Sequence, residues 1–210
     1  MRAVICFHGL LSTKADFTYL FPMLNQMYDK IACYDLPGHG YNTQKFNTEN
    51  VKRFVIEIYD SLAITYEQID IIGYSMGGII AAFIQSIRPV HRLVLLAPSY
   101  RYLNLKNYHL HPKAKSNTSI AKAFPKKNYF HIFRFAKIIS DLSDEFHIIY
   151  PDTLILWGTD DYLVKEESGI LLYQMIRSHN RQFIKLRDHN HFNILRSPTV
   201  AQYIFSFLMV

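Results

Sequence analysis

Six short runs of the chain, at 3–7, 31–34, 69–73, 92–96, 153–157 and 182–186, are apolar almost without interruption and rich in β-branched residues. Strands that need apolar surroundings on both faces belong to a sheet covered on both sides, and such sheets are parallel, with helical crossovers. Helical spacing of apolar residues fills the intervals at 17–28, 50–66, 76–87, 165–177 and 198–208. In the second of these, Val51, Phe54, Val55, Ile58, Leu62 and Tyr66 make one stripe, with Lys52, Arg53, Glu57 and Asp60 largely off it. The alternation predicts an α/β fold: a single domain over residues 1–210, with a mostly parallel sheet of about six strands, helices on both faces and right-handed crossovers.

The rhythm breaks between residues 98 and 150, where about fifty residues separate two sheet strands. The stretch holds Pro112, Pro125, a polar run at 113–119 and an amphipathic piece around 130–142. It also holds the chain's charge imbalance. Of 23 Lys and Arg against 17 Asp and Glu, nine basic residues lie in 101–137 (Arg101, Lys106, Lys113, Lys115, Lys122, Lys126, Lys127, Arg134 and Lys137) with no acidic one. The remaining 14 positive and 17 negative charges make the rest of the chain nearly neutral, so the basic character belongs to a segment and not to the fold.

At 50% hydrophobic and 19% charged, the composition excludes a disordered or fibrous chain. Cys6 and Cys33 each fall in an apolar run, where a reduced thiol acts as a small hydrophobe, so a disulfide framework is not expected. The run before His8 is too short for the apolar region of a signal peptide. The longest apolar stretch, 69–87, is interrupted by Asp70, Ser75 and Gln85, which argues against a membrane span. A cytoplasmic protein is expected.

The residues that carry chemistry begin with Gly73-Tyr74-Ser75-Met76-Gly77-Gly78, directly after an expected strand and opening an expected helix. A sharp turn there forces the serine oxygen outward, and it needs small residues two positions to either side because neighbouring backbones come close. Met76 would offer its backbone N–H at a helix start, where donors lack intrahelical partners and the dipole favours developing negative charge. His8-Gly9-Leu10 follows the first strand, and Asp35-Leu36-Pro37-Gly38-His39-Gly40 follows the second. Trp157-Gly158-Thr159-Asp160-Asp161 and Asp188-His189-Asn190-His191-Phe192 end the last two.

In these five motifs the sequence resembles the α/β-hydrolase superfamily, and the order Ser, Asp, His along the chain is the order that fold uses. The resemblance implies Ser75 as nucleophile, His191 as the base that takes its proton, and Asp161 as the acid that orients the imidazole. Asp161 is preferred to Asp160 because it stands three residues after Gly158, and His191 is preferred to His189 because an aromatic residue follows it. Leu10 and Met76 would supply the backbone N–H groups of an oxyanion hole. His8 and His39 read as loop-shaping residues. No metal site is expected, since Asp188, His189 and His191 lack further ligands of matching spacing, and no cofactor is implied.

The resemblance further implies that the two antiparallel strands which open many family members are missing, leaving a sheet edge open to pairing with a second chain. The 98–150 stretch sits where the family often carries a cap, whose aromatics (Tyr100, Tyr102, Tyr108, Phe124, Tyr129, Phe130, Phe133 and Phe135) would partly line an acyl pocket. The basic residues of 101–137 would contact an anionic substrate or surface, or simply form a solvated face. Nucleic acid is not expected as a partner. The activity implied is a serine hydrolase cleaving a carboxylic ester or thioester of small-molecule size through an acyl-enzyme. A lyase or carbon–carbon hydrolase on the same scaffold and a non-catalytic binding protein are the alternatives, because fold does not determine reaction. No motif encodes the acyl or alcohol preference.

Overall fold

The structure, a computed structural model, describes residues 1–101 and 129–209. Its strands are β1 (Arg2–Phe7), β2 (Lys30–Cys33), β3 (Gln68–Tyr74), β4 (Arg92–Leu96), β5 (Asp152–Gly158) and β6 (Arg181–Leu186). They form one six-stranded sheet in the order β2-β1-β3-β4-β5-β6, and every pairing is parallel. The chain winds outward from β1 to β2, then returns across β1 to build the other side from β3. That reversal leaves a crevice at the carboxyl ends of β1 and β3, the position where open α/β sheets place their ligands.

The sheet divides the core in two. Ala3, Ile5 and Phe7 of β1, with Ile69 and Ile71 of β3 and Leu93 and Leu95 of β4, face one layer. Val4, Cys6, Ile72, Tyr74, Val94 and Leu96 alternate onto the other. The first layer is covered by α2 (Thr48–Ala63), α3 (Met76–Ile87), α4 (Tyr129–Ser143) and Leu172 of α5 (Glu166–Met175). The second is covered by the segment from Phe17 to Tyr28 and by α6 (Pro198–Met209). Helix α2 begins where Asn47 accepts the Asn50 amide at 2.8 Å, and it buries Val51, Val55, Tyr59 and Leu62. Tyr59 adds to the stripe read from the sequence. Cys6 and Cys33 are register partners on β1 and β2, and both thiols are free.

Two expectations change. The continuous helix over 17–28 is instead a 3-10 turn, Lys14–Tyr19, followed by the four-residue α1, Phe21–Leu24. Pro22 has no N–H to extend a helical ladder through Thr18, so the chain restarts there. In the 98–150 stretch, α4 packs against α2 and α3. It sends Phe135, Ile138, Ile139 and Leu142 into the first core layer. Phe135 and Tyr100, expected among pocket-lining aromatics, are both core residues, while Phe133 is exposed. Residues 102–128, with Tyr102, Tyr108, Phe124 and six of the nine basic residues, lie outside the described residues. Of the three that are described, Lys137 pairs with Asp141 at 3.0 Å and Arg101 reaches Asp144 at 4.0 Å, and Arg134 is exposed.

Below the sheet, at the amino ends of the strands, Asp70 is a buried carboxylate with all its charge matched. Tyr28 Oη and Arg2 Nη2 donate to Oδ2 at 2.5 and 3.0 Å, and His91 Nδ1 lies 2.8 Å from Oδ1. Arg2 and Arg92 also donate to the Leu208 carbonyl, tying α6 to the same end. Among the described residues no helix is long and apolar enough to cross a membrane.

At the opposite edge, α3 lies so close to β1 that a Cβ on Gly77 would sit 1.9 Å from the Phe7 carbonyl oxygen and 2.9 Å from that of His8. Both obstacles are backbone atoms, so a methyl there must push β1 and α3 apart. Gly77→Ala is expected to cost about 3 kcal/mol, read as a lower midpoint of urea unfolding. An unchanged midpoint would mean that the end of β1 can step aside.

Candidate active site

Ser75 sits between β3 and α3 with φ 54° and ψ −117°, a left-handed conformation that costs an ordinary residue about 1–3 kcal/mol. Three backbone bonds hold it there. Its N–H donates to the Leu96 carbonyl at 2.9 Å, and its carbonyl accepts from Gly78 at 3.0 Å and Ser99 at 3.1 Å. The flanking glycines are required by contact: a Cβ on Gly73 would lie 2.4 Å from the Gly77 carbonyl oxygen. Gly9 rests against the serine itself, since a Cβ on it would be 3.1 Å from Ser75 Cβ.

Ser75 and His191, 116 residues apart in sequence, meet with Oγ 2.9 Å from Nε2. His191 Nδ1 lies 2.8 Å from Asp161 Oδ2. The other oxygen of Asp161 accepts the amides of Leu163 and Val164, both at 2.9 Å. With its carboxylate so engaged, Asp161 takes the imidazole Nδ1–H and leaves Nε2 as the acceptor for the serine proton. The side chains of His191 and Asp161 are 4% and 0% exposed, so little water competes for these bonds.

The other aspartate and the other histidine of these loops lie apart from Ser75. Asp160 is exposed, its carboxylate bonded to the Thr159 hydroxyl at 3.2 Å. His189 turns both ring nitrogens elsewhere, Nδ1 to the Arg187 carbonyl at 2.6 Å and Nε2 to the Ser197 hydroxyl at 2.7 Å. Gly158 allows the acid and histidine loops to touch, since a Cβ on it would strike the His189 carbonyl oxygen at 2.2 Å. Leu10 follows Gly9 beside the serine, and Met76 is the first residue of α3.

Two neighbours were not picked out from the sequence. Tyr74 donates its hydroxyl to the His191 carbonyl at 2.7 Å and lays its ring 5.2 Å from the imidazole. Ser99 brings its hydroxyl to 2.9 Å from Ser75 Oγ. Tyr74 stands within the serine motif, where its inward side on β3 was the available signal. Ser99 lies after β4 in no motif, and only the pairing of β3 with β4 brings it there.

His8 fastens loops. Its Nε2 accepts the Leu36 amide at 2.9 Å, which leaves the proton on Nδ1, donated to the Gly9 carbonyl at 2.8 Å. Asp35 extends the fastening by accepting the amides of Lys14 at 2.9 Å and Tyr41 at 3.0 Å. Burial, then the nearby His39, lower the His8 pKa to about 3.

The chain belongs to the α/β hydrolase fold family, whose sequence model matches residues 2–138. Among curated relatives, the uncharacterized hydrolase YugF of Bacillus subtilis is 31% identical over 138 residues, which is 63% of this chain and 45% of YugF. The chain thus spans less than half of that relative. A carboxylesterase of the same organism is 23% identical over 226 aligned positions, covering 99% of this chain and 92% of its own. Among solved structures, a monoacylglycerol lipase of Paleococcus ferrophilus superposes with a TM-score of 0.73 at 17% identity, covering 98% and 93% of the two chains.

Since the folded state holds His8 neutral down to about 3 while an unfolded chain protonates it near 6.5, the unfolded state binds more protons between those values. The contribution of His8 to stability is therefore complete above pH 6.5 and is lost as pH falls toward about 3. The ring nitrogen shifts of His8 in NMR spectra are expected to stay flat from about pH 7 to about pH 4.5, with the proton on Nδ1. A midpoint inside that range would contradict the buried, doubly bonded ring.

Proposed function

We propose that the protein is a serine hydrolase that cleaves a carboxylic ester or thioester through an acyl-enzyme intermediate. The observation that carries this reading is the unbroken line of hydrogen bonds from Ser75 Oγ through His191 to Asp161 at 2.9 and 2.8 Å. Supporting it are the outward, strained serine and the burial of the imidazole and carboxylate. The carboxylesterase and lipase names among its relatives point the same way.

In this reading Ser75 attacks the acyl carbon as its proton passes to His191 Nε2, forming a tetrahedral oxyanion. Asp161 holds the imidazole in the tautomer that accepts at Nε2 and favours the imidazolium once it forms. The amides of Leu10 and Met76 receive the oxyanion, each contributing about 3 kcal/mol to lowering the barrier when well aligned. His191 returns its proton to the departing alcohol or thiol. A water, deprotonated by the same imidazole, then attacks the acyl-enzyme and releases the carboxylic acid. The substrate is a small molecule, and the chemistry asks for no cofactor.

The test combines covalent labelling with turnover. A fluorophosphonate probe is expected to label the wild type and not Ser75→Ala. Hydrolysis of p-nitrophenyl esters of graded chain length should fall on the order of 10³-fold or more in kcat for His191→Ala and for Asp161→Asn. A wild-type protein that neither takes the label nor releases acid from any ester or thioester in the panel would leave the binding-protein reading in its place.

A further inference from the structure

Resting on the assignment of Ser75 as nucleophile, we infer that Ser99 is a second hydroxyl of the reaction centre, which donates a hydrogen bond to the nucleophilic oxygen and so sets its position and steadies its charge. Proton accounting leads there. His191 Nδ1–H is given to Asp161, so in the neutral imidazole Nε2 is an acceptor and the hydrogen between it and Ser75 Oγ is the serine's own. Ser75 has no second hydrogen to give. The 2.9 Å contact between Ser99 Oγ and Ser75 Oγ therefore has Ser99 as the donor.

The structure holds this donor firmly. The chain leaves β4 through Ala97 at φ 44°, with the Ala97 amide bonded to the Leu156 carbonyl at 2.9 Å. Ser99 N–H is bonded to the carbonyl of Ser75 itself at 3.1 Å. The next residue, Tyr100, is clasped at both backbone groups by the hydroxyl of Ser168, a buried residue of α5. Bonds at residues 97, 99 and 100 thus fix this stretch to β5, to the Ser75 turn and to α5. Ser99 is 1% exposed, so its hydroxyl is shielded from bulk solvent.

The chemical consequence follows the charge on Oγ. As the serine proton moves to His191, Oγ gains negative character and the bond from Ser99 becomes charge-assisted, hence stronger. In the acyl-enzyme Oγ is an ester oxygen and a poor acceptor, so the bond weakens. When the acyl-enzyme breaks down, Oγ is expelled and draws on the same donor again. Ser99 keeps its proton throughout. Its contribution is larger in the two transition states than in the states between, and that difference is what accelerates a reaction.

The experiment compares wild type, Ser99→Ala, Ser99→Thr and Ser99→Cys for the second-order rate of fluorophosphonate labelling and for kcat and KM on one p-nitrophenyl ester. Loss of the donor is expected to slow labelling and kcat by about 10-fold to 100-fold, the range for a hydrogen bond to a group developing charge, with KM little changed. Ser99→Thr, which keeps the hydroxyl, should return to within a few-fold of wild type. Ser99→Cys, a weaker donor of similar size, should be slowed like Ser99→Ala and stands in for it if the alanine variant does not fold. Alanine or cysteine variants that label at the wild-type rate overturn the inference, and so does a threonine variant as slow as either. A wild type that takes no label overturns the assignment of Ser75 and the inference with it, whereas normal wild-type labelling with an indifferent Ser99 removes the inference alone.

Discussion

The turn between β3 and α3 can exist only because three backbones approach one another more closely than any side chain allows. Gly73 meets Gly77 and Gly77 meets the end of β1, backbone against backbone, while Gly9 packs on the side chains of Ser75 and Tyr74. From this contact comes the left-handed backbone of Ser75, and from that backbone comes the outward direction of its oxygen. The strain is carried by bonds to Leu96, Gly78 and Ser99, formed with β4, with the helix that follows the turn and with the loop after β4. A serine on a freer loop would relax into an ordinary conformation and lose its aim.

Around that turn the sheet acts as a ruler. The loops after all six parallel strands emerge at one edge, where bonds tie them to their neighbours. His8 and Asp35 bind the first two connections to each other, Tyr74 holds the backbone of His191, and two amides hold Asp161. The charge that stabilises the fold independently of the site, Asp70 with Arg2, Tyr28 and His91, is kept at the other edge. The Asp70 cluster and the serine site thus occupy opposite ends of the same strands.

The sequence made the strands legible because apolar runs bounded by Gly, Pro and Asp are hard to mistake, and the six observed strands fall within a residue or two of the runs. Ser75, His191 and Asp161 were legible because each stands in a loop with its own punctuation. Other features were hidden for physical reasons. The break at Pro22 sits inside a pattern whose apolar spacing remains helical, and the covering role of α4 depends on which neighbours the sheet order supplies. Ser99 carries no local signature at all, since its meeting with Ser75 is a property of strand adjacency. His8 could be read as structural, but its bond to Leu36 required knowing that the first two loops touch.

The strand that leads to Asp161, β5, carries the chain's sole tryptophan. Trp157 is buried, and its indole nitrogen donates to the Val164 carbonyl at 3.0 Å. The N–H of that same Val164 is one of the two that grip the Asp161 carboxylate. The indole is thereby linked, through a single residue, to the carboxylate that meets the imidazole. With one indole in the chain, and that indole hydrogen-bonded to the acid loop, tryptophan emission reports on the surroundings of this loop alone.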